Sequence, residues 1–205
     1  MDEDALSAAD ELRQAVHELA RKTTEIDLSK EQLRTAAEHV RIAASELTGE
    51  SSPRWGEATT RSDSQKSRTY RHRSLFQGEL HPFSPTLRWG DYMGPDGELG
   101  CQFETILSSL YEGPPAAVHG GYIAGLYDEL FGATQSLSGG AVGYTAKLTI
   151  RYRSFTPTNK NLIFKGWITK SAGRRISVRA TCHDDERLCS EAEALFLRPR
   201  LNGSE

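Results

Sequence analysis

Leu6, Ala9, Leu12, Val16, Leu19, Thr23 and Ile26 recur in steps of three and four, which gathers them on one face of a helix. Asp10, Glu11, Arg13, Glu18, Arg21 and Lys22 fall mostly on the other faces. Ser29 has the hydroxyl an N-cap needs to satisfy a free amide, and Leu33, Ala37, Val40, Ala44 and Leu47 form a second stripe behind it. The pattern predicts two helices, as a hairpin or short coiled coil resting on the domain or on a partner subunit; alone they are too short for an independent core. Between residues 48 and 70 the periodicity dissolves into Ser, Thr, Gly and charge, the composition of a tether. Arg68, Arg71, His72 and Arg73 close it as a basic cluster, solvated by default and able to meet nucleotide phosphates as the minority alternative.

From about residue 75 the texture changes. Pro82, Pro85, Gly90, Gly94, Pro95 and Gly97 mark an irregular approach, with Asp96-Gly97 a turn signal. Residues 98–111 are strand-like, residues 119–134 have helix length, and four strand-like runs follow at roughly 141–155, 161–171, 174–183 and 188–198. In the first run Tyr144, Ala146, Leu148, Ile150 and Tyr152 alternate with Thr145, Lys147, Thr149, Arg151 and Arg153, so Thr145 is expected on the polar face. One helix cannot cover both faces of a parallel sheet, and short turns between consecutive strands favour antiparallel pairing. The expected architecture is an antiparallel sheet wrapped around one central helix. Apolar side chains are distributed all round that helix, which predicts burial on nearly every side, with Asp128 in its midst. A carboxylate there has to be paired, hydrogen-bonded or functional.

The divisions that result are a helical segment over 1–48, a flexible linker over 49–74, a folded domain over 75–199 and a disordered tail over 200–205. A net charge of −3 with 26% charged residues argues against a nucleic-acid binder. No apolar run approaches membrane-spanning length, and the acidic start Met1-Asp2-Glu3-Asp4 is unlike a secretory signal, so the expectation is a cytoplasmic protein without membrane partners. Cys101, Cys182 and Cys189 are too few and too irregular for a disulfide framework or a metal site.

Chemistry concentrates at the start of the central helix. Gly120 and Gly121 offer backbone N–H groups with no side chain in the way, at the positive end of a helix dipole, where a polarised carbonyl oxygen is stabilised. Asp128 supplies a carboxylate that can attack a carbonyl carbon or activate water. Eight residues of helix separate Gly120 from Asp128 by roughly 12 Å, too far for one carbonyl to touch both. Two helices packed antiparallel across a dimer bring the glycine end of one beside the Asp of the other, so the spacing predicts shared sites. Close helix packing would also explain the glycines, and a mid-helix Asp can bond a partner helix; their joint occurrence at this spacing favours a site. Arg174 and Arg175, on a tight turn, can meet phosphate groups or remain solvated.

The run from Val118 through His119-Gly120-Gly121 to Asp128 resembles the HGG-x6-D signature of the PaaI-like branch of hotdog acyl-CoA thioesterases. Tyr111-Glu112-Gly113-Pro114-Pro115, the segment Leu148 to Pro157, Gly173 to Val178 and Ala192 to Leu197 are similar to that family too. The resemblance covers about residues 98–198. It implies an α+β hotdog fold, hydrolysis of an acyl-CoA, no cofactor beyond the CoA of the substrate, no metal, and a homodimer often paired into a tetramer. It further implies that Asp128 is nucleophile or general base, that the Gly120 amide polarises the carbonyl with Gly121 beside it, and that His119 supports the loop. Thr145 falls where relatives place a water-positioning Ser or Thr. The family's Asn before the histidine has no counterpart, because Glu112 and Gly113 stand there. A non-catalytic hotdog module that senses acyl-CoA is the alternative, and a hydratase or dehydratase on the same fold ranks last, since no His follows Asp128 until His183.

Overall fold

The computed structural model of the chain describes residues 3–49, 72–78 and 80–200. Most of the expected tether, with Arg68 and Arg71, and most of the expected tail lie outside the described residues. The chain divides into two compact units, Met1–Ser84 and Pro85–Glu205.

In the first unit, helices α1 (Glu3–Glu25) and α2 (Lys30–Glu46) stand where the two stripes place them. Ser29 caps α2 reciprocally: its Oγ accepts from the Gln32 N–H at 3.2 Å, and its own N–H donates to Gln32 Oε1 at 2.9 Å. No residue of α2 is buried, and Leu33, Val40, Ile42 and Leu47 are all exposed. Among the described residues no helix is long and apolar enough to cross a membrane.

The second unit runs β1 (Arg88–Met93), β2 (Leu99–Ile106), a 3-10 turn (Ser109–Tyr111), α3 (Gly120–Ser136), β3 (Tyr144–Tyr152), β4 (Asn161–Ala172), β5 (Arg175–Asp184) and β6 (Arg187–Leu197). The six strands form one antiparallel sheet in the order β1-β2-β4-β5-β6-β3. The helix carries the chain from β2, near one edge, to β3 at the other. This is the expected sheet around one helix. Strand β1 is an addition: the sequence reading leaves its residues irregular, because an edge strand exposed on both faces has no burial alternation to read.

Strands β4, β5 and β6 bury alternate residues, including Leu162, Phe164, Ile176, Val178, Ala180, Ala192, Ala194 and Phe196. The helix lies on that face with Ile123, Leu126, Tyr127, Leu130 and Phe131 buried. Phe103 stacks on Phe164 with ring centroids 4.9 Å apart, and Tyr127 meets Phe164 edge-on at 5.3 Å. Gly166 lets the helix come this close: a Cβ there would lie 2.7 Å from Thr134 Oγ1 and 3.0 Å from Leu130 Cγ. On the outer face opposite charges stand across from one another, as with Arg179 and Glu193, or Arg151 and Arg153 with Glu191. These pairs are exposed, and each contributes at most about 1 kcal/mol.

The helix departs from expectation in one respect. Its sheet covers one side only, while Gly121 and Asp128 are exposed and Gly125 and Gly132 are half-buried. Steps of four, three and four put these four residues on a single face that the helix's own sheet does not cover. Apolar composition all round does not require that one chain supply every covering surface.

Phe164 sits where three aromatic rings meet, so Phe164→Ala is expected to lower the unfolding free energy by about 3–5 kcal/mol in urea denaturation. Arg179→Ala, on the outer face, is expected to stay within about 0.5 kcal/mol of the parent protein. Comparable losses for the two would contradict this placement of the core.

Candidate active site

His119 is the N-cap of α3, and the loop before it is tied down from two directions. The His119 N–H donates to the Tyr111 carbonyl at 2.8 Å, and the Val118 N–H donates to the Thr156 carbonyl at 2.8 Å. Beneath the loop the rings of Tyr111 and Tyr122 pack with centroids 4.4 Å apart. Burial, reinforced by Tyr111, pushes the Tyr122 phenol well above its ordinary pKa and keeps it neutral.

The first turn of the helix distributes its free amides unevenly. Gly121 N–H donates to His119 Nδ1 at 3.0 Å, which requires the ring proton on Nε2. The N–H groups of Tyr122 and Ile123 both donate to the His119 carbonyl, at 2.9 and 3.1 Å. Among the described residues no acceptor reaches the Gly120 N–H. His119 therefore behaves as a cap that engages Gly121 and leaves Gly120 as the available donor at the positive helix end.

Two turns further on, the exposed Asp128 accepts at Oδ1 from the Thr145 hydroxyl at 2.8 Å. Its other carboxylate oxygen has no partner among the described residues. The sequence alternation expects Thr145 on the polar face of β3, away from the helix, and the structure corrects this. The register with β6 steps from Thr145 opposite Phe196 to Lys147 opposite Leu195, so Ala146 is an extra residue in a bulge. Directly opposed residues share a face, and Phe196 points inward. Thr145 thus lies on the same helix-facing side as Leu148, Ile150 and Tyr152, which stand opposite Ala194, Ala192 and Ser190. Nothing in the composition around Ala146 announces a bulge.

Elsewhere the site is differently arranged. In the loop before His119 the Glu112 carboxylate accepts from the Ala116 N–H of the same loop. Arg174 and Arg175 are exposed at the β4–β5 turn, where Arg174 Nε donates to the Arg198 carbonyl at 2.8 Å. Arg198 in turn reaches the carbonyls of Gly139 and Ala141, beyond the C-terminal end of α3. Within one chain the structure brings His119, Gly120 and Gly121 together, and Asp128 with Thr145, while the two turn arginines belong to the end of the helix opposite the glycines. Tyr152, read from the sequence as one member of an apolar stripe, donates its hydroxyl to the Gly120 carbonyl at 2.8 Å. Cys182 and Cys189 are buried and unpaired by disulfide, and among the described residues no cluster of His, Cys, Asp and Glu is placed to hold a metal.

No family model matches the chain. The chain is 39% identical over 110 residues to acyl-coenzyme A thioesterase THEM4 of Xenopus laevis, a match covering 52% of this chain and 48% of that protein. It is 27% identical over 103 residues to acyl-coenzyme A thioesterase THEM5 of Homo sapiens, covering 49% of this chain and 40% of the relative. Each match thus takes in less than half the length of its curated relative. Among solved structures, a crystal structure of a thioesterase superfamily protein superposes with a TM-score of 0.73 at 26% identity, covering 92% of this chain and 94% of its own. These likenesses bear out the resemblance to hotdog thioesterases, in sequence over half of the chain and in fold over nearly all of it.

If the imidazole serves as a cap, His119→Asn should keep the unfolding midpoint near that of the parent, because Asn caps well, whereas His119→Ala should cost on the order of 1 kcal/mol. Equal losses in the two variants would mean that the ring does something a cap does not.

Proposed function

We propose that the chain is an acyl-CoA thioesterase, hydrolysing an acyl thioester to the free acid and the CoA thiol. The observation that carries this reading is the exposed Asp128 carboxylate held by the Thr145 hydroxyl, on the same helix whose first turn leaves the Gly120 N–H free. Thr145 orients the carboxylate and leaves one oxygen open to act. Gly120 donates to the thioester oxygen as it becomes an oxyanion, and the helix dipole adds to that stabilisation. Asp128 either attacks the carbonyl carbon, giving a mixed anhydride that water then hydrolyses to the free acid and the regenerated carboxylate, or takes the proton of the attacking water; in both routes the C–S bond breaks and the sulfur leaves as thiolate, protonated to the thiol. The reading calls on no cofactor, since CoA is part of the substrate.

A single chain does not complete this site, because Gly120 and Asp128 are roughly 12 Å apart along one helix. The uncovered face with Gly121, Gly125, Asp128 and Gly132 suits a second copy of α3 packed antiparallel, where small residues allow close approach. Strand β3 is an edge with Tyr144 67% and Tyr152 51% exposed, and its open side is one that pairing with a second β3 would cover. A homodimer with shared sites follows, each combining the Gly120 end of one protomer with Asp128 and Thr145 of the other. In that arrangement Arg174 and Arg175 of the protomer that supplies Asp128 lie toward the partner's glycine end, where the phosphates of CoA can be met.

Thiol release should be measured for short, medium, long and aromatic acyl-CoAs. At least one is expected to turn over, with Asp128→Asn lowering kcat by about two orders of magnitude or more and Thr145→Val by about tenfold. Tight binding without release by the parent protein would favour an acyl-CoA sensor instead.

Sharing of the site has its own test. Gly120→Pro removes the N–H at a first helical position that follows an extended His119 (ψ 129°); its Cβ would lie 3.2 Å from the Tyr152 phenol oxygen, so that side-chain tip has to give way, and the variant is expected to cost about 100- to 1000-fold in kcat. Co-expressed with Asp128→Asn, it should restore roughly a quarter of parental activity, because half of the sites in a mixed dimer are intact. Absence of any recovery in verified mixed dimers would rule out shared sites.

A further inference from the structure

The two glycines that open α3 have less intrinsic reason than any other residue type to hold one backbone orientation. The peptide between them is nevertheless held at both ends. Its oxygen, on Gly120, accepts from the Tyr152 hydroxyl at 2.8 Å, and its N–H, on Gly121, donates to His119 Nδ1 at 3.0 Å. The preceding peptide, which carries the free Gly120 N–H, is held through its own oxygen: the His119 carbonyl accepts from Tyr122 and Ile123. Peptide planes held on both sides of the Gly120 Cα restrict its φ and ψ, and with them the direction of the free N–H.

Tyr152 also occupies the space a side chain at residue 120 would need. A Cβ built there would lie 3.2 Å from the phenol oxygen and 3.3 Å from Cζ. Since the Tyr152 side chain is half exposed at 51%, water could satisfy its hydroxyl, and burial does not force the bond to Gly120. The partial burial it does have raises the phenol's pKa, so the hydroxyl stays protonated and able to donate.

We propose that Tyr152 is a positioning residue of the oxyanion site: by locking the Gly120–Gly121 peptide it aims the Gly120 N–H at the thioester oxygen. The inference rests on the thioesterase reading and deepens it. Strand β3 then serves both halves of the chemistry, Thr145 setting the carboxylate at one end and Tyr152 setting the oxyanion donor at the other. In a dimer with shared sites the two hydroxyls of one strand act in two different sites.

Tyr152→Phe removes one oxygen and keeps the ring. In the full chain it is expected to lower kcat about tenfold, with KM within about twofold and an unchanged unfolding midpoint. In the Asp128→Asn background, the carbonyl stretch of a bound acyl-CoA should move back toward its solution frequency when Tyr152→Phe is added. Unchanged kcat in Tyr152→Phe, with Asp128→Asn still inactive, would overturn the role of Tyr152 and leave the thioesterase reading standing. A raised KM at unchanged kcat would likewise overturn it, making Tyr152 a substrate contact. No thiol release by the parent protein would overturn both.

Discussion

A helix lying in a sheet can turn about its own axis unless something polar stops it, and in this protein the stop is the buried hydroxyl of Tyr127. A fully buried phenol has to find a hydrogen-bond partner, and this one meets both the carbonyl and the hydroxyl of Ser190 on β6 at 2.9 Å. Pinning Tyr127 to the sheet sets the rotation of α3. The next residue lies about 100° further round, so Asp128 must face away from the sheet. The stacked rings of Phe103 and Phe164 and the absence of a side chain at Gly166 fix how deep the helix sits.

With the rotation settled, strand β3 decides what the exposed face can do. Being an edge strand, it has room for a bulge that an inner strand would resist, since only one neighbour has to accommodate the extra residue. The bulge at Ala146 turns Thr145 toward the helix, while regular pleating beyond it keeps Leu148, Ile150 and Tyr152 on that side. The start of the strand is anchored by Arg198, whose guanidinium donates to the Gly139, Ala141 and Gly173 carbonyls and the Ser138 hydroxyl at 2.7–2.9 Å. The buried Gln135 adds a bond to the Gly143 N–H at 3.1 Å. The connection between α3 and β3 is thus held from several directions, which restricts where Thr145 can lie relative to Asp128.

Much of the fold was legible because burial writes a period into the chain. The steps of three and four in α1 and α2, the Ser29 cap, the inward Ile176, Val178, Ala180 and Cys182, and the order of one helix before four strands all carry through to the structure. Where burial is weak the pattern is silent, and β1, an edge strand exposed on both faces, went unread for that reason. The central helix erred in the opposite direction: its small and apolar residues read as covered on all sides, but the chain's own sheet covers one.

The sequence by itself determined the residue types and spacings of the site: a cap, two glycines at a helix start, and a carboxylate two turns on. These are local facts, set by neighbours a few residues apart. Only the tertiary structure decided that Thr145 meets Asp128, that Glu112 is turned into its own loop, and that Tyr152 reaches Gly120 from thirty-two residues away. The Thr145 and Tyr152 contacts depend on the register of β3 against β6, and the Glu112 contact on the turn of its loop. A one-residue bulge inverts which side chains face the helix, and no local preference at Ala146 signals it.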